Sequence, residues 1–448
     1  MYSRRNFIKS SAAFAVPLIV SPSVIAGLGH VAPSDKINLG LIGCGGLGTQ
    51  NLKNSAAHKE VVVTAACDVW KERLDKILTA YPNCKGYSDY PDLLRHQGLD
   101  AVIIATPAQW HCLQAVEAAK AGLHIYLQKP MTMHLGESLA VRNAVRKHKV
   151  MCQVGTQIHA NNHYRRMVEL VRSGYLGDIA TVRTFFVMND APKGIGSGQN
   201  TYNAPAGLNW DKWVGPARMQ PFNPNLVKDA YYHCFWMDFS GGWTPGMAPH
   251  IIDLPIWAME LDYPTEISSM GGRYIIDDDG DAYDNQEIIL RYPKMTMTWM
   301  FSSTNSHGWA FQNADRSGVG YETGTRRRLG IYFHGTNGTL MTDYSSHILV
   351  SEGNRMEGKP TPPTSIPSSP GQELEWIDSI KSGIPPLCHP EYHVKVDVPI
   401  VLSLLSMKLG RSIRFDPKTE KIIGDEEASR LAIPEYRAPY KFPSEYYH

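Results

Sequence analysis

Covalent or metal-based reinforcement has little support in this sequence. Its seven cysteines (Cys44, Cys67, Cys84, Cys112, Cys152, Cys234 and Cys388) are odd in number and show no C-x-x-C or zinc-type spacing. A disulfide framework and a metal site are therefore not expected, and Cys44 and Cys67 read as small buried fillers. An excess of one charge is also missing. Lys and Arg total 44 against 43 Asp and Glu, a formal charge of +1, which gives no pull toward nucleic acid or an anionic membrane. Beyond the first 35 residues no run is long and apolar enough to span a bilayer. Internal repeats are absent. At 448 residues the chain has room for two or three domains with sizeable cores. Ten tryptophans and 22 tyrosines suit either a carbohydrate-facing cleft or large β-rich cores.

The most informative stretch is 36–68. A short apolar run at 37–42 has the pattern of a buried parallel strand and ends in Gly43-Cys-Gly45-Gly46-Leu47-Gly48. A segment that can be helical follows, then a second apolar run at 61–67 that closes on Asp68. Gly43 allows a tight turn, Gly45 lets backbone approach a pyrophosphate, and Gly48 lets the helix pack on the strand. The helix N-terminus offers free N–H groups and partial positive charge to phosphates. Asp68 stands 20 residues past Gly48, where a carboxylate meets the adenosine ribose hydroxyls. A glycine-rich turn alone is weak evidence, but strand, turn, helix, strand and acid in this order predict a dinucleotide site. Asp68 favours NAD over NADP, a preference that Lys71 and Arg73 weaken.

The N-terminus, Ser3-Arg4-Arg5-Asn6-Phe7-Ile8-Lys9 followed by a mildly apolar stretch at 12–25, resembles a twin-arginine export signal. Residues 1–34 are read as that signal. The resemblance implies the twin-arginine machinery as a partner, a periplasmic address and export in the folded state. NAD is scarce outside the cytoplasm, so it is expected to be loaded before export, held tightly and re-oxidised or re-reduced in place.

From 69 to 154 strands and helices alternate, which implies a doubly wound parallel sheet over 35–155. Gly43, Asp68, Thr106, Lys129 and Gly155 all stand at strand ends and should line one rim. After Thr156 the style changes. Runs at 179–187, 266–274, 286–292, 295–301, 330–334 and 339–343 read as strands of a mainly antiparallel sheet. Helices are expected at 161–173, 250–259, 374–381 and 398–410, with a Pro/Ser/Gly-rich loop at 354–370. The expected fold class is α/β plus α+β. A Rossmann domain at 35–155 precedes a substrate and oligomerisation domain at 156–397, and a C-terminal helix and tail at 398–448 pack back on the body or on a neighbouring subunit.

The series GCGGLG, ATPAQWH, QKP and QVGTQ resembles the Gfo/Idh/MocA oxidoreductase family. Asn209-Trp-Asp-Lys-Trp213-Val-Gly-Pro216, the stretch YFHGTNGT and Glu375-Trp-Ile-Asp-Ser-Ile extend the likeness to exported members, from about residue 36 to 414. The resemblance implies an open antiparallel sheet, often a face on which subunits pair, and hence a homo-oligomer. It also puts Lys129 between nicotinamide ribose and substrate, poised toward the hydroxyl. Burial and a cationic nicotinamide would both lower its pKa. The family often has glutamate before this lysine; here Gln128 stands there, beside the cofactor. Gly246-Met-Ala248-Pro-His250-Ile-Ile-Asp253 aligns with the family's DxGxHxxD stretch, with Gly246 in place of the aspartate and Ala248 in place of the glycine. His250 is thus a second catalytic candidate, a proton acceptor or relay, or else a core histidine. Asp253 is a candidate for substrate or for orienting His250, and Asp238 a candidate substitute charge.

Thr106, Pro107 and His111 are expected to shape the nicotinamide side, although His111 can equally be a satisfied helix-start residue. Gln157, Asn161, His163 and Tyr164 are candidates for sugar hydroxyls, with two of the four expected to face solvent. Trp210 and Trp213 read as a sugar platform, a lid or core. Three functions follow: oxidation or reduction of a sugar ring hydroxyl with retained NAD, a redox-neutral lyase, hydrolase or epimerase using transient oxidation, or an inactive NAD-binding protein.

Overall fold

The structure is a computed structural model and describes residues 36–306 and 328–447; the expected signal at 1–34 lies outside them. The first sheet contains β1 (Ile37–Ile42), β2 (Val61–Cys67), β3 (Lys85–Tyr87), β4 (Ala101–Ile104), β5 (His124–Leu127) and β6 (Cys152–Val154), all parallel, in the order β3-β2-β1-β4-β5-β6. β4, Ala-Val-Ile-Ile, is buried at all four residues, because helices cover both faces of the sheet. The strand order reverses between β1 and β4. That switch opens a crevice at the carboxyl ends of the strands.

The glycine turn is built as the sequence requires. Gly43 has φ +92°, and a Cβ there would sit 2.7 Å from Ala105 O. At Gly48 a Cβ would lie 2.0 Å from Gly43 O, so only glycine lets helix Gly46–Ala56 rest on the turn.

The second sheet has nine strands: β7 (Ile179–Val187), β8 (Glu266–Gly272), β9 (Asn285–Arg291), β10 (Thr296–Ser302), β11 (Leu329–Gly335), β12 (Gly338–Thr342), β13 (His347–Ser351), β14 (Ile413–Asp416) and β15 (Lys421–Ile422). Their order is β13-β12-β11-β7-β10-β9-β8-β14-β15. Among the described residues only the β7–β10 pair is parallel, so the sheet is mixed and mostly antiparallel. Burial alternates along β9 and β10, as in a sheet with one packed and one open face.

Two helices depart from the expected bounds. The helix expected over 398–410 begins earlier and runs Pro390–Leu409 with Pro399 inside it, so the boundary expected at 397/398 falls within one continuous element. Proline in a helix interior costs about 3 kcal/mol, and its apolar neighbours Val398, Ile400, Val401 and Leu402, all buried, offset that cost by packing against the sheet. The helix expected over 250–259 divides into a 3₁₀ turn, Ala248–His250, and a helix, Asp253–Met259. Helix Gln372–Ser382 packs back on the first domain, where Trp376 meets Tyr126 edge-on at 5.6 Å. The loop at 354–370 is pinned to helix Asn162–Arg172: Arg165 donates to Pro367 O, Arg166 to Pro362 O, and Glu169 accepts from Ser365 and Ile366 N–H. The tail wraps its own body, with Tyr436 donating to Glu137 and Tyr440 edge-on to Trp110 at 5.0 Å. Among the described residues no helix is long and apolar enough to cross a membrane.

Candidate functional site

A cleft of about 1320 Å³, open mouth included, fills the crevice. Its floor is the glycine turn. Helix Gly46–Ala56 opens into it with no side-chain cap, since the preceding residue is Gly45; its first N–H groups are thus offered to the cleft. A Cβ on Gly46 would meet nothing within 4 Å. This is a cradle for an anionic group such as a pyrophosphate. At one end Asp68 accepts from Cys44 N–H and Trp70 N–H, both at 2.7 Å. Burial raises its carboxyl pKa, opposed by those two N–H groups. Arg73 stands beside it, 5.0 Å over the Trp70 ring, and donates to Val227 O.

The roof comes from the second domain. Residues 205–240 lie across the crevice and bond to its rim. Lys71 N–H donates to Gly207 O at 3.0 Å and Asn209 N–H to Val69 O at 2.9 Å. Lys212 pairs with Asp89 at 2.6 Å, and Gln109 and Trp110 donate to Trp213 O at 3.1 Å. The tail then clasps this segment from outside: Arg437 donates to Gly215 O and to Asp211.

Lys129 ends β5 and projects into the cleft, half-buried, with Nζ donating to Gly246 O at 3.0 Å. Burial lowers its pKa; the nearby Cys234 and Asp229 oppose this. Gln128 turns away from the opening. Its Nε2 donates to Asn51 Oδ1 at 2.7 Å, Asn51 Nδ2 donates to Glu373 Oε1 at 2.7 Å, and its own Oε1 accepts from Lys129 N–H at 3.1 Å. The residue in the family's glutamate position thus ties the lysine backbone to the cofactor helix and to helix Gln372–Ser382.

The other expected residues divide. Gly43, Gly45, Gly46, Leu47, Asp68, Thr106, Pro107, Gln128 and Lys129 line the cleft, with Trp213. Gly48 and His111 stand one layer behind. His111 is buried, its nitrogens facing Pro130 O at 2.7 Å and Thr106 O at 2.8 Å, so it joins two strand ends and does not face the opening. His250 is also buried, near enough to Lys129 to feel its charge, and its Nδ1 has no hydrogen-bond partner among the described residues. Burial, then Lys129, push its pKa well below 6.5, so it is a neutral imidazole at pH 7.

The expected sugar contacts lie elsewhere. Asn161 caps helix Asn162–Arg172 by accepting from Tyr164 N–H, and its amide donates to Tyr344 O. Tyr164 is buried, Gln157 is exposed, and His163 faces Thr342 at 3.0 Å. Asp253 is fully buried and its carboxylate is committed to His159 at 2.9 Å, Tyr392, and Thr156 at 3.3 Å, so it holds the domain interface together. None of these four, nor Asp253, lines the cleft. Asp238 is held at the edge by Arg218 and Gln220. Trp210, partly exposed, stacks on the buried Trp213 at 4.7 Å.

Among the cleft-lining residues that sequence reasoning missed are Asp229, His233 and Cys234. His233 Nε2 faces Leu226 O at 2.9 Å, which fixes the proton there and leaves Nδ1 as an acceptor. Burial holds its pKa down at about 4. Only the spacing of Tyr-Tyr-His-Cys before Gly241-Gly242 could have flagged them, and it carries no known motif.

Comparison with known proteins bears on the floor of this cleft. Residues 37–156 match the Gfo/Idh/MocA model, described as an oxidoreductase family with an NAD-binding Rossmann fold. The first domain is thus similar to the NAD-binding domain of that family. Relatives with such a domain include the uncharacterized oxidoreductase YrbE of Bacillus subtilis, 31% identical over 142 residues, covering 32% of this chain and 42% of YrbE. A glycosyl hydrolase family 109 protein of Shewanella baltica strain OS195 is 26% identical over 201 residues, covering 39% of this chain and 44% of its own. The chain spans under half the length of these curated relatives. Solved structures share the fold over both domains. The WlbA dehydrogenase of Bordetella pertussis, in complex with NADH and UDP-GlcNAcA, aligns over 85% of this chain and 99% of its own, with a TM-score of 0.60 and 19% identity. A levoglucosan dehydrogenase in complex with NADH aligns over 85% and 99%, with a TM-score of 0.59 and 16% identity.

Proposed function

We propose that the protein is an oxidoreductase that oxidises or reduces a ring hydroxyl of a sugar or sugar derivative, using NAD that it retains between turnovers. The observation that carries this reading is Lys129 Nζ, projecting into the same cleft as an uncapped helix N-terminus and Asp68. The uncapped N–H groups of the glycine turn would hold the pyrophosphate, and Asp68 would accept from the adenosine ribose, favouring NAD over NADP. Bound there, NAD supplies the hydride acceptor or donor.

The chain's own residues handle the proton. Lowered by burial, Lys129 offers a lone pair to the substrate hydroxyl, and Gly246 O orients Nζ. His250, neutral behind it, is a relay candidate. The roof excludes water, and its bonds to the rim together with the Arg437 clasp favour slow release of the cofactor. This suits a protein that we read as exported folded through the twin-arginine route to the periplasm. We also read it as a homo-oligomer pairing through the open sheet face.

A second reading, a redox-neutral glycosidase, lyase or epimerase using transient oxidation, is favoured by the glycosyl hydrolase family 109 likeness and by Gly246 in place of a carboxylate. The two readings are separated by denaturing purified protein, assaying released NAD, and then following nicotinamide absorbance in a single turnover with free sugars and glycosides. Net reduction of the nicotinamide supports the first reading, and a cleaved or epimerised product without it supports the second. Protein that neither releases nor binds NAD removes both.

A further inference from the structure

Away from the cleft, segments far apart in the chain bring metal-binding side chains to one point. His159 comes from the 3₁₀ turn Gln157–Ala160, just past β6, and Asp253 opens helix Asp253–Met259. Cys388 precedes helix Pro390–Leu409, and His393 stands in its first turn. One ligand atom each of His159, Asp253 and Cys388 lie within 4.8 Å of one another, and all three side chains are buried. His159 Nε2 is 2.9 Å from Asp253 Oδ1, and His393 Nδ1 is 3.5 Å from Cys388 Sγ. The frame is rigid. Cys388 O accepts from Val154 N–H at 2.9 Å, which ties the thiol segment to the first sheet, and the His159 ring stacks on Trp257 at 4.1 Å.

As a hydrogen-bond network alone the cluster is unbalanced. The Asp253 carboxylate is fully buried, and among the described residues no lysine or arginine pairs with it. Its donors are His159, Tyr392 and the Thr156 hydroxyl. His159 Nδ1 and His393 Nε2 are buried without a partner among the described residues. A buried negative charge and two unpaired ring nitrogens cost stability, and a cation among these side chains offsets it. Carboxylate and thiolate together carry two negative charges, so a divalent ion leaves the site neutral. Imidazole and thiolate donors suit zinc, whereas magnesium and calcium take oxygen. Zinc bonds of about 2.0 Å to nitrogen or oxygen and about 2.3 Å to sulfur set tetrahedral ligand atoms about 3.3–3.6 Å apart. The 3.5 Å between sulfur and His393 has that spacing, and the 2.9 Å between His159 and Asp253 has to open slightly. The Thr156 hydroxyl bridges thiol and carboxylate, at 2.9 and 3.3 Å, and yields its place to the ion.

We propose that His159, Asp253 and Cys388, with His393 as the fourth ligand, bind one zinc ion in a closed structural site. On binding, the thiol proton leaves to solvent and sulfur keeps the electron pair for the metal. Each imidazole carries its one proton on the outer nitrogen, Nδ1 of His159 and Nε2 of His393, which leaves the inner nitrogens free to ligate. None of the four residues lines the cleft, so the ion fastens the second domain's helices to the end of β6 and does not meet substrate. The site stands independently of the proposed reaction.

Three measurements on the full chain, purified without a histidine tag or chelator, test it. Elemental analysis by mass spectrometry should find about one zinc per chain, either as purified or after incubation with zinc(II) and gel filtration. Protein that holds no zinc and takes up none overturns the proposal. Cys388→Ala and His159→Ala should each lower the zinc content at least fivefold. Because either variant can fail to fold, X-ray absorption at the zinc edge of the unmutated protein gives a second reading: one sulfur neighbour at about 2.3 Å and three nitrogen or oxygen neighbours at about 2.0 Å. Zinc without a sulfur neighbour, or a zinc content that both folded variants keep, marks an adventitious ion only and overturns the site. Finally, stripping the metal with a chelator should lower the melting temperature by about 4 °C or more, and zinc(II) should restore it. A hydrogen-bonded network does not respond to a chelator, so an unchanged melting temperature overturns the structural role.

Discussion

At the scale of single residues the proposed chemistry rests on Lys129, and Gln128 holds its backbone in place. Lys129→Met should leave NAD bound and abolish the hydride step; unchanged single-turnover reduction would remove Lys129 from the reaction. With its pKa lowered by burial, the rate should rise with pH to a plateau reached below the ordinary lysine range near 10.5. Gln128 shows why a departure from the family pattern can be coherent. Asn51 offers its carbonyl to Gln128 and its amide to Glu373. With a carboxylate at both ends, one of them must face the Asn51 carbonyl. Gln128→Glu should therefore destabilise the protein by about 1–3 kcal/mol, the scale of a buried unsatisfied polar group. Glu373→Gln should restore most of that loss in a denaturation series.

Among the elements, the glycine turn and its helix were the most legible. Their packing leaves one possible residue at two positions, and the sequence pattern states it directly. Gly48→Ala should abolish NAD retention, because its methyl group would lie 2.0 Å from Gly43 O, and released nucleotide after denaturation measures this. The residues at strand ends were legible for the same reason: topology brings Asp68, Thr106 and Lys129 to one rim whatever their side-chain environment. The sugar candidates at 157–164 and Asp253 were not. Their polar character reflects a helix cap and a buried network between domains, and such networks look like sites in sequence because both need hydrogen-bonding side chains. The converse holds for His233 and Cys234. They reach the cleft through a roof whose path depends on contacts with Val69, Trp110 and Arg437, far away in the chain. Helix Pro390–Leu409 was misjudged at its start because Pro399 reads as a boundary while burial on both sides carries the helix through it.

That helix also gives the whole molecule a pH response. Asp397 is fully buried, accepts from Thr132 at 2.6 Å and Ser138 at 2.7 Å, and its other oxygen has no partner among the described residues. Burial raises its pKa from 3.8 to about 7. The folded state thus binds a proton that the unfolded chain has already lost. Stability should fall as pH rises between about 4 and 7, by at most about 1.4 kcal/mol per unit from this group. Asp397→Asn should flatten that part of a melting-temperature profile. At the same scale, Arg437→Ala should loosen the clasp on residues 211–215 and speed loss of NAD on dialysis about tenfold, with little change in affinity for sugar.

The clasp has a further consequence for how the molecule is assembled. Arg437 reaches Gly215 from beyond helix Glu426–Leu431, so the crevice can be shut only after the chain has been made at least that far. A nucleotide that is to be trapped must therefore enter before the segment around Arg437 docks. If the proposed function holds, a chain truncated ahead of Arg437 should fold its two sheets normally and have to borrow its nucleotide from the surroundings.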